Sequence, residues 1–254
     1  MIIGGRAHNI EEAELIGKAG FPFAEISIAD PKVFYDEELY VLRRISGTYG
    51  LNYLAHGPEE GSAWETEVLR RELLPHIQSL IDCSSELSIP LFTIHFWLDK
   101  RFLDSNIIEE KIEILKEMSI YAAGRGIKLC IENLSEQFSD FSHAFDLIDT
   151  LGMTLDIGHG ELLTEKNTAY DFSCQCLERI YHVHLHDNRG GNSPADDLHL
   201  PLGEGTIDFA SILFDLKKKG FDKTITIEVK PNHLLSGKEV IEKIWNRKDI
   251  IEKG

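Results

Sequence analysis

The stretch "SNIIEEKIEILKEMSIYAAGRGIKLCIEN", residues 105–133, decides the fold. Its first part, 105–124, places isoleucine, leucine, methionine and alanine at spacings of three and four. That is the period of a helix with one apolar face. "GRGI" then stops it, because glycine readily takes the left-handed conformation that closes many helices. A short apolar run over 127–132 follows, the length of a strand rather than a helix, and it ends on Glu132. A helix that feeds a strand ending on a carboxylate is the unit to look for elsewhere.

Outward from this unit, short apolar segments alternate with longer amphipathic ones about eight times. Strands are predicted near 2–5, 22–28, 51–56, 90–96, 127–132, 153–157, 180–186 and 224–229, with clear helical periods also over 66–87 and 208–219. The stops "KAGF", "TYGL", "TLGM" and "KKGF" repeat the glycine signal. Strand–helix alternation implies a parallel sheet with right-handed crossovers. Eight such units in 254 residues fit one closed (β/α)8 TIM barrel, a single domain over residues 1–254 with its site at the C-terminal ends of the strands. An open, doubly wound sheet is the rival, but "GGRAHN" at 4–9 is not the glycine-rich phosphate loop it would favour. No linker or break in composition divides the chain.

The totals narrow the class of partner. Lysine and arginine number 26 against 43 aspartate and glutamate, a net charge of −17, so nucleic acid would be repelled at long range. No apolar run reaches the roughly 18 residues that span a bilayer, so no membrane is expected. The start "MIIGGRAHNI" has neither a basic leader nor a long apolar core, and a cytoplasmic protein is expected. Cys83, Cys130, Cys174 and Cys176 form no CxxC pair and read as reduced thiols rather than metal ligands.

In barrels of this kind the chemistry sits where strands end. The predicted second strand closes with Glu25, the third with His56, the fourth with His95 and the fifth with Glu132. The sixth, "MTLDIGHG", carries Asp156 and His159, and the eighth, "ITIEVKP", carries Glu228. The seventh, "YHVHLHDN" at 181–188, puts His182, His184 and His186 on one face by the alternation of a strand. A loop bearing Asp197 and His199 follows it. His8, His76, His143 and His233 read as ordinary surface or structural histidines.

Gathering Glu132, Asp156 and Glu228 at one barrel mouth without a cation would set like charges within a few Å, which costs a few kcal/mol or forces protonation. These three and His184 would converge from the last four strands onto one divalent ion. Carboxylates with one imidazole suit manganese, zinc, cobalt or magnesium. His182 lies deeper and reads as packing or support. His186 stands at the rim, placed to orient a ligand or touch substrate, and Asp187–Asn188 reads as a turn. Trp97 would supply an apolar wall, and Arg189, Lys230 and Arg6 are the isolated cations near these ends.

With these residues in view, the chain resembles the xylose isomerase-like barrels from "FAEIS" to "IEVKP", most specifically in "IEN" (131–133), "LDIGH" (155–159), "HLHDN" (184–188) and "DLHLPLGEGTIDF" (197–209). That superfamily holds isomerases and epimerases of sugars and sugar phosphates, and also metal-dependent apurinic endonucleases. The epimerase resemblance implies Glu132, Asp156, His184 and Glu228 as ligands of one ion. It makes Glu132 and Glu228 the acid/base pair of a proton transfer through an enediolate, with His159 contacting a small carbohydrate. The endonuclease branch holds three zinc ions, and its further ligands fall on His56, His95, His159, Asp197 and His199. Against that branch, the loop "HGPEEGSAW" sets Glu59 and Glu60 where an apolar wedge would enter DNA, and basic residues are missing from neighbouring loops. A barrel that binds a sugar or metal without catalysis is the third alternative. Barrels of this class often pair into homo-oligomers through rim loops, although no segment here marks an interface.

Overall fold

The computed structural model describes residues 1–247. Eight parallel strands follow the chain in order and close on themselves. They are β1 (Ile2–Ala7), β2 (Phe23–Ser27), β3 (Asn52–His56), β4 (Leu91–His95), β5 (Lys128–Glu132), β6 (Gly152–Asp156), β7 (Ile180–Leu185) and β8 (Thr224–Ile227). Closure is made by β1 against β8, with Ile3 opposite Ile225. The main helices following each strand are α1 (Ile10–Lys18), α2 (Leu39–Tyr49), α3 (Leu74–Glu86), α4 (Ser105–Ala123), α5 (Phe138–Leu147), α6 (Ala169–Gln175), α7 (Phe209–Lys218) and α8 (Leu234–Trp245). Among the described residues no helix is long and apolar enough to cross a membrane.

Local chemistry sets the element ends. The Asn9 side chain accepts from the Glu12 N–H at 2.9 Å and starts α1, and Asp208 caps α7 through the Ser211 N–H. Gly20, Gly50, Gly126 and Gly220 end their helices at positive φ, as their sequence contexts predict. The fifth stop, "TLGM", differs. Gly152 is the first residue of β6, and a Cβ there would come within 2.8 Å of Cys130 Sγ, so it serves close packing rather than a cap. The helix expected over 66–87 is also modified: between Thr66–Val68 and α3 the turn widens to a π-helix over Leu69–Leu73. Pro75 has no N–H to complete an α-turn there.

Alternation along the strands builds a barrel with two different surfaces. Outward residues such as Ile26, Phe92, Ile131, Leu155, Val183 and Ile227 join one large apolar core with the helices. Each such buried side chain contributes about 1.5–3 kcal/mol. The inward residues form layers. At the N-terminal end Phe23, Leu54, Leu91 and Cys130 make a separate apolar plug, backed by Tyr181. Above it lie Thr93 and Thr154, whose hydroxyls meet at 2.8 Å, with Thr226 and His182. Above those, histidines and carboxylates fill the C-terminal mouth.

Arg179, just before β7, lies at the N-terminal end of the barrel, opposite the mouth. Its guanidinium donates to the carbonyls of Phe145, Ile148, Asp149 and Leu151 at 2.8 to 3.3 Å, satisfying the end of α5 and the turn into β6. Arg179→Ala is expected to cost about 1–3 kcal/mol, seen as a lower urea midpoint at unchanged slope. An unmoved midpoint would remove Arg179 from this role.

Candidate metal centre

His184 is the hub of the mouth. Its Nε2 lies 2.8 Å from Glu25 Oε2, while Nδ1 faces three other carboxylates. Nδ1 is 3.1 Å from Glu132 Oε1, 3.4 Å from Glu228 Oε1 and 3.7 Å from Asp156 Oδ2. One ligand atom from each of Glu132, Asp156, His184 and Glu228 lies within 4.8 Å of the others, and all four residues are buried. Donors around an ion at about 2.1 Å stand about 3.0 to 3.4 Å apart in octahedral and tetrahedral shells. The observed spacing is close to that. Asp156 Oδ2, buried and aimed into the group, has no hydrogen-bond partner. This donor set fits a divalent cation, and these four side chains are the ones that would hold it.

The remaining imidazoles are arranged in the same manner. His56 places Nδ1 2.8 Å from the Gly57 carbonyl and Nε2 3.1 Å from Glu132 Oε2. Burial and the charge of Arg6 lower its pKa, against the opposing pull of Glu132. His95 donates from Nδ1 to Glu59 and turns Nε2 to Glu132 Oε2 at 3.3 Å. His159 contacts the Asn133 carbonyl through Nδ1 and Asp197 through Nε2 at 3.2 Å, and His199 contacts the Glu228 carbonyl and Asp197. One nitrogen of each of these four rings is thus held by an oxygen outside the cluster while the other points inward, the arrangement that orients metal-binding histidines, whereas neither nitrogen of the buried His186 has a hydrogen-bond partner. His159, His186, Asp197 and His199 form a second group of converging donors, and His56, Glu132 and His184 a third.

Without an added cation, imidazolium charge balances the carboxylates. Burial raises the Glu132 carboxyl, yet the charges of His184 and His95 and hydrogen bonds from His159 and His184 hold it well below the usual range. Burial opposes the charge on His184 too, but Glu228, Glu25 and Glu132 outweigh it and hold its pKa well above normal. His159 is raised in the same way by Asp156, Asp197 and Glu132. Against burial, Glu132 and Glu59 raise His95 to about 10, and Asp197 and Glu228 raise His199 to about 9. Buried carboxylates and buried histidines therefore sustain one another's charge.

Several residues act in ways the sequence did not display. Glu25 does not close β2; it lies in mid-strand, fully buried, and its carboxylate supports both His182 and His184. Arg6 stands 3.3 Å from Glu228 Oε1, so this cation is engaged inside the mouth. Asp187 is more than a turn former. It accepts from the N–H groups of Asn188, Gly203, Gly205 and Ile207 and folds the 199–207 segment back, which brings Asp197 and His199 over the mouth. Asn133 exchanges two 2.9 Å hydrogen bonds with the backbone of Asp156 and locks the ends of β5 and β6 together. His186 stacks on His199 at 3.9 Å and lies so close over Gly158 that a Cβ there would meet its ring at 2.1 Å.

Trp97 donates its indole N–H to Ser135 and presents its ring to a cavity beside the cluster. Arg189 turns to the Glu204 carbonyl, and Lys230 is exposed. His182 bonds Thr224, Thr226 and Glu25 in the layer below. His8, His76, His143 and His233 make local contacts with Glu12, Ala29, Glu109 and Asn232, away from the mouth. All four cysteines are unpaired.

The comparisons with known proteins agree with this architecture. An inosose isomerase from Halalkalibacterium halodurans is 22% identical, over 92% of this chain and 87% of that protein. The crystal structure of a D-tagatose 3-epimerase-like protein superposes with a TM-score of 0.80 at 26% identity, covering 96% of this chain and 97% of that one. A crystal structure of the IOLI protein with a binding zinc atom matches in fold, with a TM-score of 0.77 at 16% identity over 96% and 98% of the two chains. Residues 13–248 match the family described as xylose isomerase-like TIM barrel, and the chain belongs to that family.

Proposed function

We propose that the chain is a divalent-metal-dependent isomerase or epimerase of a small carbohydrate, with Glu132 and Glu228 as its acid/base pair. When bound, manganese, cobalt, magnesium or zinc supplies a Lewis acid and a fixed positive charge at the mouth. Glu132 and Glu228 reach that point from β5 and from the end of β8, and their convergence on His184 Nδ1 at 3.1 and 3.4 Å is the observation that carries the reading. One carboxylate removes a proton from the carbon beside a carbonyl, and the other, entering the step in its acid form, gives its own proton to the opposite face or to the neighbouring carbon of the flat enediolate, after which exchange with solvent resets both. The first outcome is epimerisation and the second is aldose–ketose isomerisation. Glu25 and Asn133 keep the acceptors in place, His159 faces the cavity for substrate hydroxyls, Trp97 walls it, and His186, expected at the rim, is instead fully buried beneath His199. The names of the inosose isomerase and the epimerase-like relative support the same class of chemistry.

A second reading, metal-assisted phosphodiester hydrolysis, is favoured by one observation: His56 and His95 flank Glu132 Oε2, and His159 and His199 flank Asp197. These are donors for two further ions. Opposing it, the exposed Glu59 carboxylate stands at the mouth beside His95, where it repels a phosphate backbone, whereas Glu60 adds nothing to this because Lys111 neutralises it. Elemental analysis of purified protein is expected to find about one ion per chain. About three zinc ions, with cleavage of abasic DNA, would replace the isomerase reading.

Glu228→Gln, with metal content verified, is expected to abolish exchange of a substrate C–H with solvent deuterium, a loss of about 100-fold or more. Undiminished exchange and turnover remove Glu228 from proton transfer.

Metal uptake should also displace protons. A nitrogen that binds a cation must be deprotonated, and His184 and His159 carry raised pKa values. Apparent affinity should therefore rise with pH, roughly tenfold per unit for each proton displaced. Calorimetry in two buffers of different ionisation enthalpy checks this, and identical heats would show that no imidazole gives up a proton.

A further inference from the structure

We propose that the substrate is a neutral carbohydrate carrying an apolar substituent, not a sugar phosphate, an inference that rests on the isomerase reading. It comes from the cavity of about 490 Å³ beside the cluster. That volume falls within the ~300–1,000 Å³ typical of small-molecule sites and exceeds the needs of one sugar ring. The cavity has two unlike ends. His95, His159 and Asp197 line the end shared with the cluster, whereas Ala63, Trp64, Trp97, Leu134, Leu162 and Leu163 line the outer part.

The outer part offers few free polar groups to a ring of hydroxyls. Trp97 gives its N–H to Ser135, and Ser135 in turn gives its hydroxyl to Asp99 at 2.7 Å. Of the other polar lining groups, Glu60 is bound to Lys111 and the Trp97 N–H and Glu59 to His95, which leaves Ser193. The rest is carbon: Trp97 stacks on Phe102 at 5.2 Å and meets the edge of Trp64 at 5.7 Å, forming an aromatic row. Aromatic faces of this kind reward alkyl or aryl groups. The opposite wall is held deliberately. Leu163 sits at φ 52, a conformation unfavourable for leucine. Two bonds keep it there: its N–H donates to the Gly191 carbonyl, and its own carbonyl accepts from Arg101, both at 2.8 Å.

A phosphate finds no unpaired cation in this cavity, because the His95 and His159 rings that line it are already opposed by Glu59, Glu132 and Asp197. Its described lining residues include no lysine or arginine, and its charged members are Glu59, Glu60 and Asp197, apart from the histidines. Two cations that bond to its walls are already paired, Arg101 with Asp99 and Lys111 with Glu60.

Isothermal titration calorimetry on the protein as purified tests this, using matched methyl and phenyl glycosides of a panel of hexoses as binding probes, with the free hexoses and their 6-phosphates. Phenyl glycosides are expected to bind about tenfold or more tightly than their methyl partners. Trp64→Ala and Leu163→Ser should each collapse that ratio toward one. Each 6-phosphate should bind no tighter than the free hexose. Equal affinity for the methyl and phenyl series across the panel, no binding of either, or tighter binding of a 6-phosphate overturns the inference. Solvent deuterium exchange separates it from the isomerase reading. Phenyl preference without exchange into any carbohydrate leaves the cavity assignment standing and defeats the reaction, whereas exchange into a tightly bound hexose phosphate does the reverse.

Discussion

The structure depends on a single imidazole placed between anions. His184 carries Glu25 on one nitrogen and faces Glu132, Asp156 and Glu228 with the other, all of them buried. In water these carboxylates would disperse, but barrel closure holds their strands together. An unpaired buried charge costs several kcal/mol, so the group is stable only with opposite charge at its centre. Protonated histidine can supply that charge in part. The unpartnered Asp156 oxygen marks where protons alone do not complete it.

This arrangement is supported by a division of labour between the two faces of the sheet. The outward face and the helices carry the apolar burial, so the interior need not be uniformly hydrophobic. The plug around Phe23 seals the N-terminal end, the threonine layer satisfies the lower side of His182, and the candidate ligands lie at or just beyond the ends of the strands. Rigid strands set positions at the sub-Å level that loops rarely achieve. The loops add the walls. Asp187 organises one, the Glu60–Lys111 pair a second, and Arg101 a third, each through a charge bonded to neutral backbone or to a single opposite charge.

That design accounts for a mouth which is polar where chemistry would occur and apolar a short distance outward. The acidic balance of the chain is consistent with it, because part of the charge is internal and compensated. It also explains why Glu59 and Glu60, adjacent in sequence, behave differently. Glu59 reaches His95 from solvent, while Glu60 is drawn into the space between α4 and the loop after β4.

Strand and helix periods, the glycine stops and the polar residue at each strand end were legible in the sequence, because all are properties of a few consecutive residues. Alternation in "YHVHLHDN" was enough to put three histidines on one face, and "IEN" and "LDIGH" to bring an acid to each strand tip. Gly152 misled because a strand start in close contact and a helix stop look alike in one dimension. The depth of Glu25, the engagement of Arg6 with Glu228, the reach of Asp187 and the buried Lys111–Glu60 pair were decided by tertiary structure. Each depends on which groups face one another across a closed barrel or between loops. That distance is fixed by strand register and helix packing, and no local pattern of residues encodes it.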